Sequence, residues 1–183
     1  MCTTNDPNLA QRLMLIRNHG ENVTTELGID DITNLIGFNF RMTNMQAALG
    51  VAQMERINEL LEHKEKIFKN YDQKFNKTKN ISLLPSNNWS KNSFWLYTLV
   101  INGIGEKKRD KLLQSLKNRG VECRPVFYPL NTMKPYEKFS KGDYKISENL
   151  SMNSLSLPSS SGLTANEQNY ISKVFLEELS NIK

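Results

Sequence analysis

Thr43 and Gln46 stand three residues apart at the head of a run with no glycine or proline from Val51 to Leu84. A threonine at the cap with glutamine at the third helical position forms a capping box, in which each side chain satisfies a backbone N–H of the first turn. The spacing therefore predicts a helix that begins just after Thr43. Apolar positions at Leu49, Ile57, Leu60, Leu61, Phe68, Tyr71 and Phe75 carry it onward. Helical to Phe75, it spans roughly 50 Å at a rise of 1.5 Å per residue. That exceeds the radius of gyration of a compact domain of this size. A helix of that length links two units or lies along an interface. Its opening residues Ala47, Ala48, Gly50 and Ala52 are small and allow another element close. Those same residues would also suit an internal helix pair.

The rest of the chain reads as short elements around that helix. Asp6-Pro7 reads as cap and first helical position, and Gly20 as the stop, with Leu9, Leu13 and Ile16 on one face. Residues 21–36 read as a polar loop that packs on a partner. Phe94 to Ile101 has the aromatic and β-branched content of a strand. Lys107 to Asn118 reads as a helix with Leu112, Leu113 and Leu116 inward, stopped by Gly120. Val121 to Phe127 and Ser154 to Leu157 read as two more strands. Thr164 and Glu167 form a second capping box, opening a final helix that carries Ile171, Val174, Phe175 and Leu179. The fold class is α+β, with a small antiparallel sheet covered by helices.

Composition narrows the function classes. The 183 residues suffice for one good core, or a small domain with extensions. The net charge is +5, but lysines interleave with acids, as in Glu62-His63-Lys64-Glu65-Lys66. That is the pattern of a solvated helix face rather than of a nucleic-acid surface. The basic-module reading ranks last, since no aromatic platform or nucleic-acid motif is recognisable. No apolar run is long enough to span a bilayer, and no basic segment precedes an apolar stretch at Met1. A cytoplasmic protein without a membrane or nucleic-acid partner is expected. Cys2, Cys123, His19 and His63 show no metal-ligand spacing, so no metal site is expected and both thiols are read as buried or incidental.

Asn39 and Arg41 precede the capping box on a short approach. An amide and a guanidinium held there can meet an anion, because the arginine fork matches phosphate oxygens. A turn asparagine bonding its own backbone, and a solvated arginine, are the plainer readings of the same two residues.

The segment Gly37-Phe38-Asn39-Phe40-Arg41-Met42-Thr43-Asn44-Met45-Gln46-Ala47-Ala48-Leu49-Gly50 resembles the signature of the DegT-type sugar aminotransferases. Three more segments match, and all four stand in the family's order. The three are Thr4-Asn5-Asp6 with Arg17-Asn18-His19-Gly20, Arg124-Pro125-Val126-Phe127-Tyr128-Pro129-Leu130 with Pro135-Tyr136, and Leu157-Pro158-Ser159. The resemblance implies the C-terminal part of the aspartate-aminotransferase architecture, fold type I. It also implies pyridoxal 5'-phosphate (PLP) as cofactor and a nucleotide-linked keto-sugar as substrate. Chemistry would lie at a homodimer interface, with glutamate as the amino donor. Residues 1–42 would be a remnant of the large cofactor domain, 43–79 the long linking helix, and 80–183 the small C-terminal domain. The wording of the later segments is most similar to the perosamine-synthase branch.

Residue by residue, the resemblance makes Asn39 a contact to the cofactor phosphate of the neighbouring subunit, with Arg41 beside it. Arg124 falls near the sugar-nucleotide site. Asn131 stands where many relatives carry histidine; it can hydrogen-bond a hydroxyl but cannot titrate. Tyr128 is expected to pack, and His19 to be a satisfied loop residue. The lysine that holds the cofactor covalently lies upstream of the matched region, so no catalytic residue is assigned and the chain alone is expected to be inactive. The alternative is a non-catalytic partner that completes the site of a separate aminotransferase chain.

Overall fold

The computed structural model describes residues 2–21 and 35–182, so most of the predicted loop over 21–36 lies outside the described residues. The chain divides into two compact units, Met1–Arg56 and Ile57–Lys183.

The first unit holds helices α1 (Pro7–Arg17) and α2 (Asn44–Glu55). Asp6 caps α1 as expected: its carboxylate accepts from the N–H groups of Asn8 and Leu9 at 2.9 and 3.3 Å. The capping box at Thr43 and Gln46 is formed in full. Neither helix has a buried residue within the described structure. Between them, Asn18 pairs with Asn39 in an isolated antiparallel bridge.

The second unit carries the core. Helix α3 (Ile57–Phe75) buries Ile67, Phe68, Tyr71 and Phe75 along one stripe. A four-stranded antiparallel sheet follows, from β1 (Ile81–Leu83), β2 (Tyr97–Ile101), β3 (Arg124–Pro125) and β4 (Ser154–Leu157), in the order β1-β2-β4-β3. Helices α4 (Gly105–Asn118), α5 (Lys145–Asn153) and α6 (Ala165–Asn181) complete it. In the β2–β4 register, Tyr97 faces Leu157 and Leu99 faces Leu155. These four join residues of α3, α4 and α6, including Phe75, Leu112, Leu116 and Phe175, in one hydrophobic cluster. Each such side chain contributes about 1.5–3 kcal/mol on burial. The alternate positions turn the other way, where the Thr98 and Ser156 hydroxyls share a 2.8 Å hydrogen bond.

Three expectations are corrected. The single helix expected after Thr43 is two helices; the second ends at Phe75, where the apolar positions placed the end, short of the 79 given to the linking segment. Arg56 has φ −105° and ψ 7°, and its N–H reaches Gln53 O, three residues back, instead of four. The break coincides with the unit boundary: the apolar side chains of α2 are exposed, whereas those of α3 serve the second unit's core. The strand expected from Phe94 starts at Tyr97, because Phe94 adopts φ 53° and turns the chain first. The strand expected over Val121–Phe127 pairs only at Arg124–Pro125. Pro125 has no N–H to donate, which confines it to the sheet edge.

Candidate functional site

Asn39 and Arg41 lie in the first unit on an extended approach to α2. Backbone bonds hold this approach against the end of α1: Phe38 N–H donates to Ile16 O at 2.7 Å, His19 N–H to Phe38 O at 3.1 Å, and Phe40 N–H to Arg17 O at 3.0 Å. Two glycines make the approach possible. A Cβ on Gly20 would sit 1.9 Å from Leu35 O, and one on Gly37 would sit 2.2 Å from the Gly20 nitrogen. Gly20 also has φ 81°, a conformation side chains resist. The Phe38 and Phe40 rings stack with centroids 5.1 Å apart, on the other side of the strand from Asn39 by alternation.

The arginine is fixed and the asparagine is open. Arg41 Nη1 donates to the side-chain oxygen of Asn18 at 3.1 Å, and Asn18 is buried. Asn39 is exposed. A pinned guanidinium and an accessible amide two residues apart make a donor set of the kind a phosphate oxygen accepts.

Arg124 and Asn131 lie in the second unit, and the structure gives them different surroundings. Arg124 pairs with Ser156 at the sheet edge and lines a cavity of about 680 Å³ with Lys64, Trp95, Glu122, Cys123 and Ser159 among its other walls. Its guanidinium lies 5.1 Å from the Phe127 ring centroid. Asn131 is not among the cavity's lining residues. It sits in a 3-10 turn, Leu130–Thr132, and its amide donates to the Glu148 carboxylate on α5 at 2.7 Å.

The remaining candidates have structural partners. Tyr128 donates to Glu106 at 3.2 Å, and Glu106 also pairs with the buried Arg109. His19 takes φ 59° in the turn after α1. Burial pushes the Cys123 thiol up to about 12, which leaves it protonated and a poor nucleophile at neutral pH. Among the described residues, no cluster of His, Cys, Asp and Glu could hold a metal ion, and no helix is long and apolar enough to cross a membrane.

Of the cavity walls, sequence reasoning finds Arg124 and misses Lys64 and Trp95. The sequence pattern places Lys64 in a solvated charge run. Instead its ammonium is half-buried and donates to Trp95 O at 2.8 Å and to Ser159 O, and burial lowers its pKa. Trp95 falls within the strand expected over Phe94 to Ile101. The usable signal was Ser159 following Leu157-Pro158, a small polar residue placed where a strand ends.

Comparison with known proteins then supplies context. The profile of the DegT/DnrJ/EryC1/StrS aminotransferase family matches residues 1–175. GDP-perosamine synthase of Caulobacter vibrioides is 36% identical over 165 residues, covering 90% of this chain and 43% of that protein. GDP-perosamine synthase of Escherichia coli O157:H7 is 34% identical over 173 residues, covering 93% of this chain and 44% of that protein. The fold is shared with PseC of Helicobacter pylori, an aminotransferase involved in pseudoaminic acid biosynthesis (TM-score 0.85, 24% identity, 97% of this chain and 48% of that one). It is shared also with the putative sugar aminotransferase Spr1654 of Streptococcus pneumoniae in its PMP form (TM-score 0.86, 22% identity, 98% and 47%). The chain spans less than half the length of the relatives it matches.

Proposed function

The chain belongs to the DegT/DnrJ/EryC1/StrS aminotransferase family, whose members are PLP-dependent, and on that premise we propose that it is part of an enzyme converting a nucleotide-linked keto-sugar to an amino-sugar. The amino donor in this reading is glutamate, and the sugar is a 4-keto-6-deoxy sugar of the perosamine-synthase type. The support for the substrate is the 34–36% identity to the two perosamine synthases. The observation that carries the site is the pinning of Arg41 by buried Asn18 beside exposed Asn39, within the segment that resembles the family signature.

The donor set fits the cofactor's phosphate. When bound, PLP supplies the electron sink for moving an amino group. Asn39 and Arg41 hold its phosphate, reaching across a homodimer interface. Arg124 meets the anionic nucleotide portion of the substrate. Asn131, with its amide nitrogen held by Glu148, keeps its carbonyl oxygen for a sugar hydroxyl. In this division residues 1–42 belong to the cofactor domain, 43–79 form the linking segment, and 80–183 form the small domain. The location is cytoplasmic.

The chain alone lacks the covalent lysine in this reading and turns over nothing. The test joins it to the N-terminal half of the Caulobacter relative. The chimaera is expected to transfer an amino group to a GDP-linked 4-keto-6-deoxy sugar, and borohydride is expected to trap PLP on no specific lysine of the 183-residue chain by itself. Transamination by the isolated chain overturns the proposal.

A second reading rests on one observation. Met45, Leu49, Val51 and Met54 on α2 are all more than half exposed. Exposed apolar side chains of this kind, spread around the helix, suit a chain that completes a separately encoded aminotransferase. Co-purification with such a protein, and a change in its activity on adding this chain, supports that reading.

A further inference from the structure

Two large aromatic rings stand in the open, and one of them, Trp95, lines the 680 Å³ cavity. Trp95 is 65% exposed and Phe127 58%, and their rings stack with centroids 6.1 Å apart at 23°. Arg124 lies over the other partner of the stack, 5.1 Å from the Phe127 centroid. Exposed aromatic surface gathered in one place usually marks a binding site.

The backbone behind Trp95 is built to hold that ring outward. Phe94 takes φ 53°, a conformation that is a genuine outlier for a bulky residue. It is held there by its N–H on the Asn92 side chain at 2.7 Å, and by its ring edge-on to Phe68 at 5.1 Å. The Trp95 carbonyl is clamped by the Lys64 ammonium at 2.8 Å and the Ser159 hydroxyl at 3.4 Å. Ser159 Oγ in turn accepts from Tyr97 N–H at 3.3 Å. Strain kept in place by several independent contacts is a mark of functional sites. Here the contacts fix the main chain on both sides of Trp95 and leave its indole uncovered.

We propose that Trp95 and Phe127, with Arg124 beside them, form a stacking platform for the base of a nucleoside diphosphate. The indole offers a flat face to any base, since every base has a π-face. The arginine adds a cation for the adjacent phosphates and stacks on the ring. The cavity is of the size that small-ligand sites occupy. The inference rests on the reading of the substrate as a nucleotide-linked sugar, and it names the residues that recognise the nucleotide end.

The test uses the chain with Trp89→Phe, so that Trp95 is the remaining tryptophan. Titration with GDP or UDP is expected to quench its emission saturably, while inorganic pyrophosphate leaves it unchanged. By calorimetry, Trp95→Phe is expected to retain affinity within about threefold, and Trp95→Ala to weaken it roughly tenfold, as for the loss of one base–aromatic stack. Phe127→Ala gives the same direction, and circular dichroism confirms that each variant is folded. Unchanged affinity in Trp95→Ala, equal quenching by pyrophosphate, or no nucleotide binding at all overturns the platform. The two proposals fail separately. A chimaera that transfers the amino group with an unchanged KM for the nucleotide sugar in Trp95→Ala removes the platform only. Nucleotide stacking in a chimaera that transfers nothing removes the aminotransferase reading only.

Discussion

Arg41 is tied to Asn18 across 23 positions of sequence by a 3.1 Å hydrogen bond from its Nη1 to the asparagine's side-chain oxygen. Asn18 is buried, so the guanidinium is held by a group that is itself fixed. Its neighbour Asn39 pairs by backbone with the same Asn18. One buried residue thus positions both proposed phosphate contacts.

The consequence is measurable in the chimaera. Asn18→Leu removes the acceptor while leaving Arg41 and Asn39 intact. Loss of one hydrogen bond to a charged group is worth about 1.5–3 kcal/mol. PLP affinity, read from cofactor absorbance, is expected to fall roughly tenfold. Asn39→Ala and Arg41→Gln are expected to fall at least as far, and unchanged affinity in all three would remove them from the site.

Gly37→Ala places a Cβ 2.2 Å from the Gly20 nitrogen, a backbone atom that cannot step aside. Forced overpacking costs about 1–3 kcal/mol. The strain falls on the first unit, so amide exchange at His19 and Phe40, whose N–H groups bridge the two segments, is expected to accelerate. Exchange across β2 is expected to stay as it was.

Acid should loosen the start of α6. The Glu167 carboxylate accepts from Thr164 N–H at 2.8 Å, and bonds from the Thr164 backbone and side chain hold its pKa below the usual value. A depressed folded pKa means the contribution is present above the ordinary carboxylate pKa of about 4.3 and is lost as pH falls through the folded value. Glu167→Gln keeps an acceptor at that place and is expected to remove this part of the pH dependence. Thr164→Ala removes the cap itself, at a cost of about 1 kcal/mol in denaturant unfolding at neutral pH.

The two thiols should separate under alkylation. Cys2 is exposed, whereas burial pushes Cys123 up to about 12. At pH 8 iodoacetamide is expected to label Cys2 in the native chain and to reach Cys123 only when denaturant is added. Rapid labelling of native Cys123, read by peptide mass, would mean that the cavity wall opens.

What the sequence determined by itself is local. The caps at Asp6, Thr43 and Thr164 are written in residues two or three apart, because a helix terminus needs acceptors within its own first turn. The α4 and α6 faces follow from a 3.6-residue period, and the family from segments whose order survives in the chain. The tertiary structure decided what depends on distant partners. Helical propensity runs through Arg56 without a breaker, yet the ladder shifts there because the side chains on either side serve different units. The three-residue β1 exists only as an edge on β2, and α5 starts at Lys145 after a cap residue, Tyr144, whose own side chain makes no capping bond. Trp95 has the composition of a strand residue. It stands exposed because Phe94, Lys64 and Ser159, from three separate parts of the chain, hold its backbone and leave its ring outside the sheet.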